Sequence, residues 1–234
     1  MMLQWIEMGV DIELQENKVN VIVLERQDMF SQILEDFMIS IENAEERFVL
    51  YESGKKLNIS KSVELIFSPL LSRFAISTVC FSPIPYEIIQ TYLYRELKSL
   101  SDDTSIELRE KVNSIIIDYL DNLSHNFFYP LSYSLNFDET ALFKQYDIGI
   151  KYETESLLEK MIGYIQISAD ICHTKIFVLI NAKAYFSLEE LRELHKIAFY
   201  KKIHLIMIEN RKYNCLSEEK YYIIDEDKCL IIQE

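Results

Sequence analysis

Glycine and proline are scarce, four of each in 234 residues. That scarcity excludes a collagen-like chain, a loop-rich sandwich and a Pro/Gly-rich disordered chain. Cysteine is equally sparse. Cys80, Cys172, Cys215 and Cys229 never stand at C-x-x-C spacing, so no zinc ribbon or redox pair is read from them. Positive charge is in short supply too: 24 Lys and Arg against 38 Asp and Glu leave a net charge of −14. A protein this acidic does not hold nucleic acid through its overall field. Any DNA contact must gather a few lysines on one surface and turn the carboxylates away. No apolar run approaches bilayer length. The stretch MMLQWIEMGVDIEL has neither the basic start nor the apolar core of a signal peptide. Together these absences read as a cytoplasmic protein, with no membrane partner and with reduced, mostly buried thiols.

What is present is hydrophobic sequence, 49% of the chain, enough for a sizeable core. The clearest signal is Ile176 to Tyr213. Ile176 to Ile180 is an unbroken apolar run. Ser187 precedes Leu188-Glu189-Glu190, an N-cap with two carboxylates at the positive end of a helix. Leu188, Leu191, Leu194, Ile197 and Ala198 recur at helical spacing, Lys201 and Lys202 close the last turn, and Ile203 to Ile208 is apolar at five of six positions. Strands apolar on both faces are buried on both faces, as in a parallel sheet covered by helices. Strand, helix, strand at this spacing is a βαβ crossover.

The rest of the chain is assigned around that core. Asp11 to Leu24 is expected to be a β-hairpin turning at Glu16-Asn17-Lys18. Asp28 is the expected cap of a helix whose stripe is Met29, Phe30, Ile33, Leu34, Phe37, Met38 and Ile41. Phe48 to Tyr51 reads as a strand ending at Glu52-Ser53-Gly54, followed by a basic loop with Lys55, Lys56 and Lys61. From residue 61 to about Phe128 the pattern reads as helical. Pro69, Pro83 and Pro85 fall here, with Ser82-Pro83 as a helix start. The stripe Ile88, Ile89, Tyr92, Leu93, Leu97, Leu100 is answered by Leu108, Val112, Ile115, Ile116, Tyr119, Leu120, Leu123 and Phe127. Ser101 to Thr104 is the expected turn of this antiparallel helical hairpin. Tyr129-Pro130 ends it, Asp138 caps a short helix to Gln145, and Leu157 to Ser168 form another helix. Tyr221 to Ile224 and Cys229 to Ile232 close the chain as a hairpin. The fold class is therefore α/β: a mixed-sheet head, with a βαβ core plus hairpins, and an inserted helical lobe. The head is assigned to residues 1–60 and 150–234, and the lobe to 61–149.

Few constellations carry chemistry. Gly54-Lys55 invites comparison with a phosphate loop, but that motif needs a glycine at position 49, which is Val49, and a hydroxyl at position 56, which is Lys56. Lys55, Lys56 and Lys61 are either phosphate contacts or a solvated basic loop. The four histidines never reach metal spacing. His173 and His204 read as structural residues beside or within buried strands, and His195 as solvent-facing. Asp118, Asp121, Glu189, Glu190 and Glu193 read as wet helix faces. Asp138 and Glu139 are a candidate hard-cation site, although calcium wants several more oxygens. No Ser/His/Asp or Cys/His group can be assembled.

Four stretches carry a resemblance: VIVLERQDMFSQILEDF (21–37), LYESGKKLNISKSVEL (50–65), FVLINAKAYFSLEELRELHKIAFYKKIHLIMIENRKY (177–213) and YYIIDEDKCLI (221–231). LFKQYDIGIKYE (142–153) is a looser fifth. In order and spacing they resemble the small accessory protein of type II-A CRISPR systems, the Csn2 family. The resemblance implies an α/β head with a helical leg and a homotetrameric ring on linear double-stranded DNA during spacer acquisition, without catalysis or nucleotide. It implies other CRISPR adaptation proteins, the integrase complex and the effector nuclease, as partners. Lys55, Lys56 and Lys61 fall in the family's basic loop. Calcium is the family's implied ion, and here LNFDETALFK leaves Asp138 and Glu139 as the obvious acids. The competing classes are a degenerate P-loop-like nucleotide hydrolase and a protein–protein adaptor that binds no DNA.

Overall fold

The computed structural model describes residues 1–42, 44–67, 86–151 and 156–233. Cys80, Pro69, Pro85 and the expected helix start at Ser82-Pro83 lie outside them. The described residues form two compact units, Met1–Tyr86 with Tyr152–Glu234, and Glu87–Lys151.

The first unit holds two sheets. β1 (Met2–Trp5), β2 (Val10–Glu13), β4 (Phe48–Glu52) and β5 (Lys55–Leu57) make an antiparallel sheet in the order β2-β1-β4-β5. The larger sheet has the order β10-β9-β3-β8-β7-β6. Its strands are β3 (Val19–Leu24), β6 (Val63–Phe67), β7 (Ile176–Ile180), β8 (His204–Glu209), β9 (Glu219–Ile224) and β10 (Leu230–Gln233). All neighbours are parallel except β9 and β10, which form the expected terminal hairpin. Successive side chains of a strand point to opposite faces. One face therefore presents Ile22, Leu24, Ile176, Val178, Ile206, Ile208 and Tyr222 to the core shared with α1 (Gln27–Ile41) and the small sheet. There Phe37 stacks on Phe48 at 3.8 Å, and the Trp5 indole N–H donates to Asp36 at 2.7 Å.

Helix α7 (Leu188–Lys201) links β7 to β8 as the expected crossover and begins with a full capping box. The Ser187 hydroxyl accepts from the Glu190 N–H, and the Glu190 carboxylate accepts from the Ser187 N–H. Helix α6 (Leu157–Ile171) packs beside it.

Several local expectations change. Residues 11–24 are not a hairpin: β2 pairs with β1 and β3 joins the other sheet. β2 alternates buried and exposed residues and suits a small sheet's edge, while β3 is buried at all six positions and takes a sheet centre. Helix α1 is capped from Arg26, and Asp28 sits in the first turn, held by the Arg26 guanidinium at 2.6 Å. Residues 63–67 are strand β6 and not helix, because β7 offers them a parallel partner in register, Val63 opposite Ile176. A short apolar run does not by itself distinguish the two.

In the second unit, α3 (Tyr86–Thr104) runs through the expected turn, and only Ser105 separates it from α4 (Ile106–His125). The Ser105 N–H donates to Ser101 O, the Arg109 N–H donates to Ser105 O, and the Thr104 hydroxyl donates to Leu100 O. These bonds carry the helix across residues that favour turns. α3 and α4 do not pack along one another as a hairpin. The apolar row of α4 is consequently exposed, including Leu108, Ile115, Tyr119 and Leu123. α5 (Glu139–Gln145) follows the expected Asp138 cap. No described helix is long and apolar enough to cross a membrane. Cys172 is buried, its thiol pushed up to about 11 by burial, but Cys215 and Cys229 are exposed, against expectation.

The histidine assignments also change. His173 is exposed at a left-handed turn, φ 57°. His195 is buried, with Nε2 3.8 Å from Glu219. It faces a polar cluster between α7 and the sheet. Lys183 Nζ donates to Glu219 at 2.7 Å and to the Tyr221 hydroxyl at 2.8 Å, and the Lys183 N–H donates to Glu209 at 3.0 Å. Burial pushes Glu209 up to about 7 and His195 down to about 4. The two act with opposite sign. Raised from 4.5, Glu209 stabilises the fold below about pH 4.5, and that contribution fades as pH rises through 7. Depressed from 6.5, His195 stabilises it above about pH 6.5, and that contribution fades as pH falls through 4. Each masks the other between these limits. Relative to wild type, Glu209→Gln should gain stability as pH rises from 4.5 to 7, by up to ~3 kcal/mol. His195→Gln should gain as pH falls from 6.5 to 4. Urea unfolding across this range measures both; parallel profiles for wild type and variants would contradict the assignment.

Candidate nucleic-acid interface

Strands β4 and β5 are joined by Ser53 and Gly54, with φ of 50° and 77°. A two-residue turn with both central residues left-handed matches the twist of a hairpin, and glycine adopts it without strain. The turn sets Lys55 opposite Glu52 and Lys56 opposite Tyr51. The expected basic loop is thus in part an edge strand, and Lys55 and Lys56 point to opposite faces of it. Asn58 then caps α2 (Ile59–Ser62) by accepting from the Ser60 N–H at 2.9 Å, which presents Lys61 to solvent one turn later.

All three lysines are exposed. Lys56 Nζ reaches Glu46 at 2.5 Å. An exposed pair of this kind is weak and easily exchanged for another anion. Lys55 and Lys61 make no ion pair among the described residues. Glu52, directly across from Lys55, is taken up instead by Lys175 at 2.8 Å, and that bond holds its carboxyl below the usual range. The Lys175 N–H donates to Ser62 O at 3.1 Å, so Lys175 stands beside Lys61. Sequence reasoning missed Lys175. Its only signal is the parallel pairing of β6 with β7, which joins segments far apart in the chain. Beside Lys56 lies an open cleft of about 540 Å³ lined in part by Glu45, Glu46, Phe48, Val49 and Asn58.

Gly54-Lys55 is a hairpin turn between two strands, not a strand-to-helix loop, so its N–H groups do not form the cradle of a phosphate-binding motif. Among the other lysines, Lys201 is paired with Asp170 at 2.6 Å, while Lys144 and Lys202 are exposed.

In the second unit, Asp138 Oδ1 accepts from the N–H groups of Thr140 and Ala141, at 2.9 and 3.2 Å. Glu139 is buried. One of its oxygens accepts from the Ser101 hydroxyl and the other lies 3.6 Å from Arg109. The adjacent residues thus look to different partners. Among the described residues no group of three or more His, Cys, Asp or Glu is placed to hold a metal ion.

Residues 40–228 match the model of the family described as CRISPR-associated protein (Cas_Csn2). The chain belongs to this family. The Csn2 assignment covers most of both units, including the lysine-bearing strand and the leg. No curated protein matches the chain. Solved structures similar to it include an ATP-binding cassette of an ABC transporter in its ADP conformation, 13% identical with a TM-score of 0.44. Another is a nucleotide-free ATP-binding cassette, 15% identical with a TM-score of 0.43. Each match covers 92% of this chain and 79% of the other. Nothing about nucleotide binding by this Csn2-family chain follows from resemblances so distant.

The placement of Asp138 gives a direct expectation. Asp138→Ala should speed amide exchange at Thr140 and Ala141, whose N–H groups it caps, whereas Glu139→Gln should leave those two amides slow. Equal acceleration in both variants would mean that the two acids act together rather than separately.

Proposed function

We propose that this Csn2-family protein is a non-catalytic, sequence-independent binder of double-stranded DNA ends, acting as a homotetrameric ring in the cytoplasm during CRISPR spacer acquisition. The observation that carries the reading is a set of exposed lysines drawn from two distant stretches of a chain with net charge −14: Lys55 and Lys61, with Lys175 beside Lys61 and on Glu52, and Lys56 on the other face of β5. Lysines that reach phosphates neutralise the duplex without reading it, and none of these lysines is carried on a helix shaped for the major groove. Flexible ammonium groups on an edge strand and a short helix suit a smooth, irregular phosphate track. The chain's acidic overall field repels DNA, so contact must come through exposed lysines such as these.

The exposed apolar row of α4 supports the oligomer. Leu108, Ile115, Tyr119 and Leu123 are exposed along one helix, and no described element packs along it, which makes a surface suited to subunit pairing. A ring repeats the same lysines in every subunit, so one substitution is multiplied around its lumen. Other adaptation proteins, the integrase complex and the effector nuclease, would meet its outer surface.

Duplex binding followed by anisotropy across a salt series tests the reading. Affinity should fall steeply, with a log–log slope of about −0.9 per phosphate neutralised. Changing Lys55, Lys56 and Lys61 together to Ala should abolish binding at moderate salt with the circular dichroism spectrum unchanged. Lys175→Ala should reduce the slope. Wild-type affinity in the triple variant would place the interface elsewhere, and no duplex binding by wild type would favour a protein–protein adaptor.

A further inference from the structure

We infer that Arg109 is the resident cation of the leg, its guanidinium standing among the acidic side chains where a divalent ion is the family expectation. The residue lies in the first turn of α4, immediately past the single-residue break after α3. Its backbone N–H donates to Ser105 O at 2.9 Å and spans that break. Its side chain reaches three acids on three helices. Nη1 donates to Asp102 in the last turn of α3 and lies 3.6 Å from Glu139 Oε2 on α5, while Nη2 lies 3.8 Å from Glu110 on α4 itself. The Arg109 side chain is 23% exposed and that of Glu139 only 7%. The second oxygen of Glu139 accepts from the Ser101 hydroxyl on α3. Every oxygen of the buried carboxylate therefore faces a donor already supplied by the chain.

The residues present do not fit calcium. That ion takes six to eight oxygen ligands at short range. Asp138 has one oxygen on the α5 amides, Glu139 faces Ser101 and Arg109, and the cleft of about 320 Å³ beside them is also lined by Lys98. A dication entering it would meet two fixed positive charges. A guanidinium keeps its proton at any working pH and presents a planar fork that serves several carboxylates at once. The Asp102 hydrogen bond raises the affinity of Arg109 for its proton further. The joint between α3 and α4 and the seating of α5 thus depend on Arg109 and not on metal. This inference stands whether or not the lysine surface binds DNA.

Thermal unfolding of the full chain in EDTA, in millimolar calcium and in millimolar magnesium tests it, with amide exchange over 101–110 and 138–141 as a local readout. Wild type should unfold at the same temperature in all three. Arg109→Gln should lower the midpoint and speed exchange at those segments. Arg109→Lys, which keeps the charge and loses the fork, should fall between. A calcium-specific rise in the wild-type midpoint would overturn the inference, as would Arg109→Gln exchanging like wild type. Should Arg109→Gln fail to fold, the wild-type calcium comparison and Asp102→Asn decide. The asparagine variant should loosen the α3–α4 joint without gaining any response to calcium, and an unchanged joint would contradict the assignment.

Discussion

β3 is hydrogen-bonded on one side to β8 and on the other to β9, both drawn from the far end of the chain. This parallel pairing closes the head. It brings Val19 to Leu24 into the middle of a six-stranded sheet, with every residue buried. Parallel neighbours cannot be joined by a tight turn, so each connection leaves the sheet and returns over a face. α7 makes one such return, and the leg lies within the much longer connection from β6 to β7. Burial on both faces also explains the polar cluster of Lys183, His195, Glu209 and Glu219 under α7. Enclosed there, Glu209 is pushed up and His195 down by burial, and Lys183 holds Glu209 and Glu219 in place.

The same topology assembles the lysine surface. The hairpin turn at Ser53 and Gly54 orients Lys55 and Lys56, the Asn58 cap orients Lys61, and the parallel register of β6 against β7 places Lys175 beside them. None of these devices is catalytic. They are ordinary ways of fixing a backbone, here presenting Lys55, Lys56 and Lys61 to solvent and bringing Lys175 beside Lys61. In the leg, one arginine ties the end of α3, the start of α4 and α5, while the apolar row of α4 is exposed.

Features enforced by near neighbours in sequence were legible. The Ser187 N-cap, the βαβ core, the terminal hairpin and the Asp138 cap follow from contacts a few residues apart, or from apolar runs without rival readings. Features enforced at a distance were not. β2 and β3 are close in sequence and belong to different sheets, because burial on two faces outweighs the turn between them. Val63 to Phe67 becomes a strand only because β7 is there to pair with it. His195 lies on a helix whose polar face looks wet until Glu219 and Lys183 arrive beneath it. Lys175 and Arg109 acquire their meaning from partners on other elements, Glu52 and Ser62 for one, Asp102 and Glu139 for the other. The leg's expected hairpin gave way because hydrogen bonds through Ser101 and Ser105 carry the helix past residues that favour a turn.

The proposed closed ring loads from a DNA end, and the topology of the DNA tests this most directly. A relaxed, covalently closed duplex circle is compared with the same molecule cut once, at equal length, sequence and salt. A threading ring should retain the cut molecule and fail to retain the circle, and blocking both ends of the linear duplex with bulky groups should abolish loading. Equal affinity for circle and linear DNA would contradict the account.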